Sequence, residues 1–369
     1  MTLDPPPRIS ESAALAVAEE RIGTQKLGTQ QLENSGDQLR VLCTSIGRGQ
    51  AGRGIWRKFP AATVTLCYID QFQQRQALEA HAEEVANVSP GDRRLEVVCR
   101  PDFPDQTFDL GIVPCSIRGE AELHRDYLQQ AYLQLRDNGI LVSSVDNPKD
   151  KWLHEQMQQF ETKVTAIRTD TAAVYVISKD KPLRRERAFD ADFSFRDRGE
   201  TIHAITRPGV FSHRHLDSGA AALIDAAEVL SGERVVDFGC GSGVVSLALA
   251  KRQPTATVLA IDSNARAVQC TERGAAKNEL KNVSTHLTCD GETGSPGGFD
   301  VSLCNPPYFA NFQIAALFVE ASRRALKPGG RIFVVTKRGQ WYQENMYPGW
   351  RDITVTKSKQ YEIVTAIRG

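Results

Sequence analysis

The sequence predicts an α/β protein built from two tandem copies of one parallel-sheet fold. Short apolar segments alternate with helical segments along most of the chain, which is typical of a sheet covered by helices. Landmarks also recur at a nearly constant distance: Phe108-Asp109 is repeated by Phe299-Asp300, and Asp70 by Asp262. These pairs are 191 and 192 residues apart, which indicates an internal duplication.

The composition is globular, and a length of 369 residues fits about two domains. The formal net charge is +0, so any nucleic-acid binding must come from local patches. No stretch approaches the ~18–20 apolar residues of a membrane span, and the first residues contain no apolar signal core. Eight cysteines lack any C-x-x-C pair. We therefore expect a cytoplasmic protein with reduced thiols, no membrane segment and no metal.

Four regions are expected along the chain. Residues 1–35 form an N-terminal extension with a helix near 10–21, and residues 36–180 form the first copy of the fold. In that copy we predict strands at 40–45, 63–69, 95–99, 108–113, 140–145 and 173–178, and helices at 71–85 and 120–135. Residues 181–200 form a linker, and residues 201–369 form the second copy.

The linker region carries a basic cluster, and a hairpin is predicted after it. The cluster consists of Lys179, Lys181, Arg184, Arg185 and Arg187. It fits either an RNA-phosphate patch or a solvated linker, and both interpretations stay open. Apolar segments at 193–195 and 201–206 flank a turn at Gly199, which predicts a β-hairpin.

The second copy opens on the segment 233–250, ERVVDFGCGSGVVSLALA. It predicts a buried strand, a glycine turn and a helix entered at its N-terminus. Gly239, Gly241 and Gly243 alternate with other residues, unlike the G-x-G-x-x-G spacing of phosphate-binding loops. Asp237 precedes the first glycine by two positions, and its carboxylate would suit a cationic ligand such as an amino group or a sulfonium.

Further strands carry polar residues at their carboxyl ends, where open α/β sheets bind ligands. The segment 257–261 is followed by Asp262 and Ser263, and an acid there can accept both hydroxyls of a ribose. Asp290 ends another apolar segment, where a surface acid is nearly as plausible as a ligand contact. Later strands are predicted at 331–335, 353–356 and 362–367, with a helix at 314–326.

The segment FDVSLCNPPYF, residues 299–309, predicts a buried strand ending in Asn305-Pro306-Pro307-Tyr308. The prolines stiffen the backbone and remove donors. The Asn305 side-chain oxygen and the Pro306 carbonyl are thus two fixed acceptors, which suit a planar amine. Tyr308 can stack on a planar substrate.

Together these motifs resemble those of class I S-adenosylmethionine-dependent methyltransferases. D-x-G-x-G-x-G matches motif I, and NPPY matches motif IV of the methyltransferases that act on amines. The resemblance implies an S-adenosyl-L-methionine cofactor held by Asp237, Gly239, Cys240, Gly241, Gly243, Asp262, Ser263 and Asp290. It implies a catalytic role for Asn305, Pro306 and Tyr308, without a metal.

The segment PGVFS…LD-x-G, residues 208–219, narrows the resemblance to the RsmC/RlmG family of ribosomal RNA guanine-N2 methyltransferases. In that family the segment lies beside the methyl donor, which implies that Phe211 is a wall of the cofactor pocket. The fold implied is two tandem Rossmann-like methyltransferase domains, the N-terminal one degenerate. The implied partner is ribosomal RNA or a ribosomal subunit.

The first copy lacks the residues that carry the chemistry. The constant offset aligns Ser45 with Asp237, Ala51 with Gly243, and Pro114-Cys115 with Asn305-Pro306. We therefore expect a structural or substrate-holding role for this copy. Because the family usually has phenylalanine where this chain has Tyr308, adenine-N6 and protein glutamine-N5 methylation stay open. A non-catalytic cofactor-binding RNA module is the remaining alternative.

Overall fold

The computed structural model describes residues 8–24, 39–85, 94–307 and 312–369. The chain divides into two compact units, Met1–Phe189 and Asp190–Gly369. Each unit contains its own seven-stranded sheet, although only six strands were predicted in the first copy.

The first element described in the first unit is a helix, and the sheet of this unit has the order β3-β2-β1-β4-β5-β7-β6. Strands β1–β5 are parallel, and β7 and β6 complete the sheet in antiparallel pairings. The elements are α1 Ile9–Thr24, β1 Arg40–Thr44, α2 Gln50–Lys58, β2 Thr63–Tyr68, α3 Gln71–Val85, β3 Arg94–Cys99, β4 Phe108–Cys115, α4 Ala121–Gln134, β5 Leu135–Val145, α5 Trp152–Gln158, β6 Thr165–Arg168 and β7 Ala173–Ser178.

The second unit begins with the predicted hairpin, which is an antiparallel pair of strands. Its large sheet has the order β12-β11-β10-β13-β14-β16-β15, the same as in the first unit. The elements are β8 Ala191–Asp197, β9 Glu200–Thr206, α6 Ser218–Ala226, β10 Arg234–Phe238, α7 Val244–Arg252, β11 Thr257–Asp262, α8 Ala265–Lys277, β12 Val283–Leu287, β13 Phe299–Cys304, α9 Gln313–Ala325, β14 Leu326–Thr336, α10 Gly339–Asn345, β15 Trp350–Ser358 and β16 Tyr361–Arg368.

The duplication extends to individual side chains. In the first unit the Arg40 amide donates to Asp109 Oδ2 at 2.6 Å, and in the second the Arg234 amide donates to Asp300 Oδ2 at 2.9 Å. Each bond ties the start of one central strand to the neighbouring strand. The shared topology and the shared contacts confirm the two Rossmann-like copies.

The strand registers correct the alignment of the two copies. Arg40 pairs with Thr63 in β1–β2, and Arg234 pairs with Thr257 in β10–β11. These equivalent pairs are 194 residues apart, whereas Leu110 and Val301, which pair equivalently in β4 and β13, are still 191 apart. The first copy is therefore three residues longer between its second and fourth strands, so one offset cannot align both parts.

As a consequence, Cys43 occupies the position of Asp237, and Tyr68 occupies that of Asp262. The alignments of Ser45 with Asp237, of Ala51 with Gly243 and of Asp70 with Asp262 were wrong. Gly49, the N-cap of α2, corresponds to Gly243, the N-cap of α7, and both have a left-handed backbone. The correction leaves the first copy with neither acid. Pro114 still corresponds to Asn305, because the 191-residue offset holds in that part of the sheet.

Most predicted elements lie within a few residues of their expected limits. The differences are the starts of two inner strands, one edge strand, and short helices such as α2 and α5 that were not predicted. β5 and β14 begin at Leu135 and Leu326, so they include the turns expected before them. Both strands pair with their neighbours through a register irregularity at this point. β6 was not predicted, since it is an edge strand of four residues whose side chains are mostly exposed.

The basic cluster is partly used inside the first unit. Lys179 Nζ donates to the Leu133 and Leu135 carbonyls, and Lys181 Nζ lies 3.1 Å from Glu161 Oε2. Arg184 and Arg185 are exposed. The cluster is thus in part structural, and all three of its arginines are exposed, of which Arg187 forms an ion pair with Glu122.

A buried carboxylate from α1 fills the loop of the first copy. Glu11 Oε1 accepts hydrogen bonds from Ser45 Oγ at 2.6 Å and the Ile46 amide at 3.0 Å, and Oε2 accepts one from the Ala51 amide at 3.3 Å. Burial raises the pKa of Glu11 above its usual range, although the bonds from Ser45, Ala51 and Ile46 act in the opposite direction. The loop is therefore closed by a side chain of its own unit.

We predict that Glu11→Ala destabilises the first unit by about 1–3 kcal/mol, because buried donors of the loop lose their acceptor. Hydrogen exchange of β1 and α2, measured by mass spectrometry, reports on this unit alone. Glu19→Ala on the same helix is the control, since its 2.7 Å ion pair with Lys58 is only partly buried and worth little. Equal exchange in the two variants would contradict the assignment.

Candidate active site

Asp237 lies at the end of β10 and is 2% exposed. Ser246 Oγ, in the first turn of α7, donates to Asp237 Oδ2 at 2.6 Å. Burial raises the pKa of Asp237 to about 6; the Ser246 bonds lower it and the nearby Asp262 carboxylate raises it further. Two neighbouring carboxylates make this loop favourable for a cation.

The glycine loop between β10 and α7 has a backbone that few other residues permit. Gly239, Gly241 and Gly243 all have positive φ. A Cβ on Gly243 would lie 2.7 Å from Thr271 Oγ1, whereas nothing lies within 4 Å of a Cβ placed on Gly241. The loop is packed at its helix end and open at Gly241. Cys240 is buried, and burial raises the pKa of its thiol well above the usual range.

Asp262 connects two loops at the carboxyl edge of the sheet. Its Oδ2 accepts a hydrogen bond from the Gly241 amide and its Oδ1 accepts one from the Asn264 amide, both at 2.9 Å. The carboxylate is half-buried, as is Ser263 beside it. The backbone thus fixes the orientation of Asp262 before any ligand is present.

Asp290 organises its own loop. Its Oδ1 accepts hydrogen bonds from Thr288 Oγ1 at 2.6 Å and from the Glu292 amide at 3.2 Å. Asp290 is half-buried in the loop after β12.

Asn305 follows β13 directly and lies at the same carboxyl edge of the sheet as Asp262. β13 pairs with β10 through Cys304 and Phe238, so the residues after these two emerge side by side. Asn305 Nδ2 donates to Asp217 Oδ2 at 3.2 Å. Pro306 is buried. Tyr308 lies outside the described residues.

Phe211 is 67% exposed, and the segment before it is fastened to the start of α8. Asn264 Nδ2 donates to the Gly209 carbonyl at 2.6 Å, and Arg266 Nη1 donates to the Pro208 carbonyl at 2.8 Å. The Arg266 side chain is completely buried. This anchor brings the Phe211 segment next to the loop of Asp262.

Sequence reasoning missed Asp217, Asn264 and Arg266. Asp217 and Asn264 are the N-cap residues of α6 and α8, and each accepts a backbone amide of its helix. An acid or asparagine before an apolar helical segment signals a cap. That signal finds the caps, but it does not indicate their second contacts with Asn305 and Gly209.

The structure also describes possible metal ligands, the apolar character of the helices and the state of the cysteines. Across the described ranges, no three His, Cys, Asp or Glu side chains cluster as ligands for a metal ion. No helix in the part of the chain that the structure describes is long and apolar enough to cross a membrane. All eight cysteines are described, and none forms a disulfide.

Comparison with known proteins defines the class. The methyltransferase small domain family matches residues 201–365, which span the second unit from β9 to β16. The second unit is therefore a methyltransferase domain of class I.

The relatives give the narrower relationship. Ribosomal RNA small subunit methyltransferase C of Acinetobacter baumannii is 26% identical over 250 residues, which cover 64% of this chain and 72% of that protein. Its namesake in Shewanella loihica is 34% identical over 160 residues, which cover 42% of this chain and 46% of that protein. The chain thus spans less than half of the second relative.

A solved structure extends the likeness to both units. It is described as T. thermophilus 16S rRNA N2 methyltransferase RsmC in complex with AdoMet and guanosine. The match has a TM-score of 0.71 with 20% identity and covers 90% of this chain and 89% of that chain, so it is a likeness of fold. The second unit thus matches the methyltransferase small domain family, and the fold of the whole chain is similar to that of RsmC.

The raised pKa of Asp237 predicts a pH-dependent stability. The unfolded carboxyl ionises near pH 4 and the folded one near pH 6, so stability that is complete below pH 4 is lost as the pH rises through 6. Asp237→Asn does not titrate. Its unfolding free energy relative to the wild type should therefore rise by about 3 kcal/mol between pH 4 and pH 8.

Hydrogen exchange of peptides from β10 and α7, compared between variants at each pH, measures this difference. The exposed Asp225→Asn in α6 is the matched control and should show no such trend. A difference that stays constant with pH in Asp237→Asn would refute the titration.

Proposed function

We propose that the second unit transfers a methyl group from S-adenosyl-L-methionine to an exocyclic amine of ribosomal RNA, and that the amine is guanine N2. One observation carries the proposal: the acid-glycine loop after β10 and the Asn-Pro-Pro segment after β13 emerge from adjacent paired strands. The loop would bind a cationic methyl donor, and the neighbouring segment would bind a planar amine beside it.

The residues of the loop fit this cofactor. We assign the ribose hydroxyls to Asp262, which two backbone amides hold at the end of β11, with Ser263 beside it. The open space at Gly241 lets a ligand approach the backbone. We assign Asp237, Gly239, Cys240 and Gly243 to the same loop contact, Asp290 to the adenine, and exposed Phe211 to the wall of the pocket.

Charge also favours the fit. Burial raises the pKa of Asp237, and the nearby Asp262 carboxylate raises it further. A cationic group bound at this loop would favour both ionised forms. A pyrophosphate would meet two carboxylates instead, so a dinucleotide is a poor candidate.

Bound S-adenosyl-L-methionine supplies an electrophilic methyl group on a sulfonium. The Asn305 side-chain oxygen and the Pro306 carbonyl accept the two N–H groups of the substrate amine and direct its lone pair at that methyl carbon. The transferred methyl group would come from the sulfonium of the bound cofactor, and the surplus proton of the amine would leave for solvent. We assign base stacking to Tyr308. Catalysis is then mainly orientation and electrostatics.

The choice of guanine N2 is supported by the relatives. The A. baumannii and S. loihica proteins are named as small subunit ribosomal RNA methyltransferases, and the T. thermophilus protein is described as an N2 methyltransferase with bound guanosine. Adenine-N6 and protein glutamine-N5 methylation share the NPPY motif and are the runners-up. The Asn305 acceptor suits all three amines equally.

We further propose that the partner is ribosomal RNA of the small subunit, in the cytoplasm, and that the target base is unstacked when it binds. An exocyclic amine inside a stacked helix is out of reach of a pocket at a sheet edge. The first unit is assigned a structural or substrate-holding role without cofactor, since Cys43, Tyr68 and Pro114 replace the two acids and the asparagine.

The proposal predicts the modified nucleoside. Purified protein is incubated with tritium-labelled S-adenosyl-L-methionine and small ribosomal subunits or RNA from a strain that lacks the enzyme, and the RNA is digested to nucleosides. Label is expected in N2-methylguanosine. Label in N6-methyladenosine would keep the mechanism and overturn the base, and absence of label from all RNA would overturn the substrate class.

We predict that Asn305→Ala lowers kcat at least about 10²-fold, because an acceptor that aligns the amine is lost. Its dissociation constant for S-adenosyl-L-methionine, measured by calorimetry, should stay within about twofold. Asp262→Ala is the complementary variant, since it should weaken cofactor binding instead. Turnover at the wild-type rate in Asn305→Ala would exclude the assigned role.

A further inference from the structure

Asp217 holds two partners with one oxygen. As the N-cap of α6, its Oδ2 accepts a hydrogen bond from the Ala220 amide at 2.9 Å. The same oxygen accepts a second hydrogen bond from Asn305 Nδ2 at 3.2 Å. The two residues are 88 positions apart in sequence. The start of α6 is thereby connected to the end of β13.

The contact determines which end of the Asn305 amide faces the substrate side. An ionised carboxylate only accepts hydrogen bonds, so the amide must turn its nitrogen toward Asp217. The oxygen of Asn305 then points away, and among the described residues nothing donates to it. It lies 3.3 Å from where a Cβ on Gly219 would be, so the missing side chain at Gly219 leaves this oxygen room.

Orientation matters because the two ends of an amide have nearly the same shape and opposite hydrogen-bonding character. With the oxygen outward, Asn305 accepts an N–H of an amine. With the nitrogen outward, a donor would face a donor, and the amine would be repelled. A contact that favours one orientation thus favours the reactive arrangement.

We propose that Asp217 is a positioning residue, which fixes the Asn305 amide with its oxygen toward the substrate amine. The inference rests on the proposed function of Asn305. Asp217 acts through Asn305, to which it is hydrogen-bonded.

Asp217 is itself held in place by its helix. Ala220 and Leu223 of α6 are buried in the core. The next residue, Ser218, forms a hydrogen bond of 3.0 Å between its Oγ and the hydroxyl of Tyr361 at the start of β16. Lys337 Nζ lies 5.1 Å from the centre of the Tyr361 ring. These contacts fix the start of α6, and with it the position of the Asp217 carboxylate.

The test uses a variant that keeps the N-cap of α6 but loses the hydrogen bond to Asn305. Serine is as good an N-cap as aspartate, but its side chain is one atom shorter and does not reach Asn305. Asp217→Ser should lower kcat by roughly 10–100-fold, since misplacement of a positioning group costs up to about 10²-fold. The dissociation constant for S-adenosyl-L-methionine and the melting temperature should match the wild type.

Two variants serve as controls. Asp217→Asn keeps an oxygen that can accept from both partners, so most of the activity lost in Asp217→Ser should return. Asp70→Ser repeats the same exchange at α3, where Asp70 Oδ1 accepts the Gln73 amide at 3.0 Å. Its kcat should equal that of the wild type.

A double-mutant cycle gives the sharpest outcome. If Asp217 acts only through Asn305, Asp217→Ser should cause no further loss in an Asn305→Ala background. A full additional loss in that background, or equal losses in Asp217→Ser and Asp217→Asn, would overturn the inference. Wild-type kcat in Asp217→Ser with an inactive Asn305→Ala would also overturn it and leave the proposed function intact; an active Asn305→Ala would remove the proposed function itself.

Discussion

The parallel pairing of β10 with its two neighbours determines where the candidate site residues lie. Phe238 pairs with Ile261 of β11 on one side and with Cys304 of β13 on the other. The residues that follow these three therefore leave the sheet together at its carboxyl edge, where open α/β sheets bind ligands. Asp262 and Asn305 stand on opposite sides of the glycine loop for this reason.

The duplicated unit shows that the scaffold and the site are separable. Both sheets have the same strand order, and both tie their first and fourth strands with the same aspartate contact. In the first copy, however, the loop amides bond to the Glu11 carboxylate. Tyr68 donates from the position of Asp262 to the Gly47 carbonyl at 3.3 Å. A fold can thus keep its strand order while side chains of its own unit fill the loop at the carboxyl edge.

The sequence predicts the local features of the second copy well, because each depends on neighbouring residues. The glycine loop, the acid after β11 and the Asn-Pro-Pro turn all follow from strand, turn and helix signals. The alignment of distant segments was harder to predict from the sequence. The offset of the two copies changes by three residues between the second and fourth strands, and only the strand register reveals where.

Contacts of buried polar side chains were out of reach for the same reason. Arg266 donates a hydrogen bond to the Pro208 carbonyl, 58 positions away in sequence, and Asn305 donates one to Asp217, 88 positions away. A cap signal predicts that Asp217 begins a helix, but the partner of its second contact is fixed by how that helix packs on the sheet. Such contacts need the tertiary structure, and they are the ones that orient the site residues.

The electrostatics of the loop connect stability with the proposed function. A buried carboxylate such as Asp237 is costly to ionise, and Asp262 increases that cost. Replacing either acid with a neutral residue would relieve it, as the first copy illustrates with Cys43 and Tyr68. The second copy retains both acids, and a bound cation would offset their repulsion.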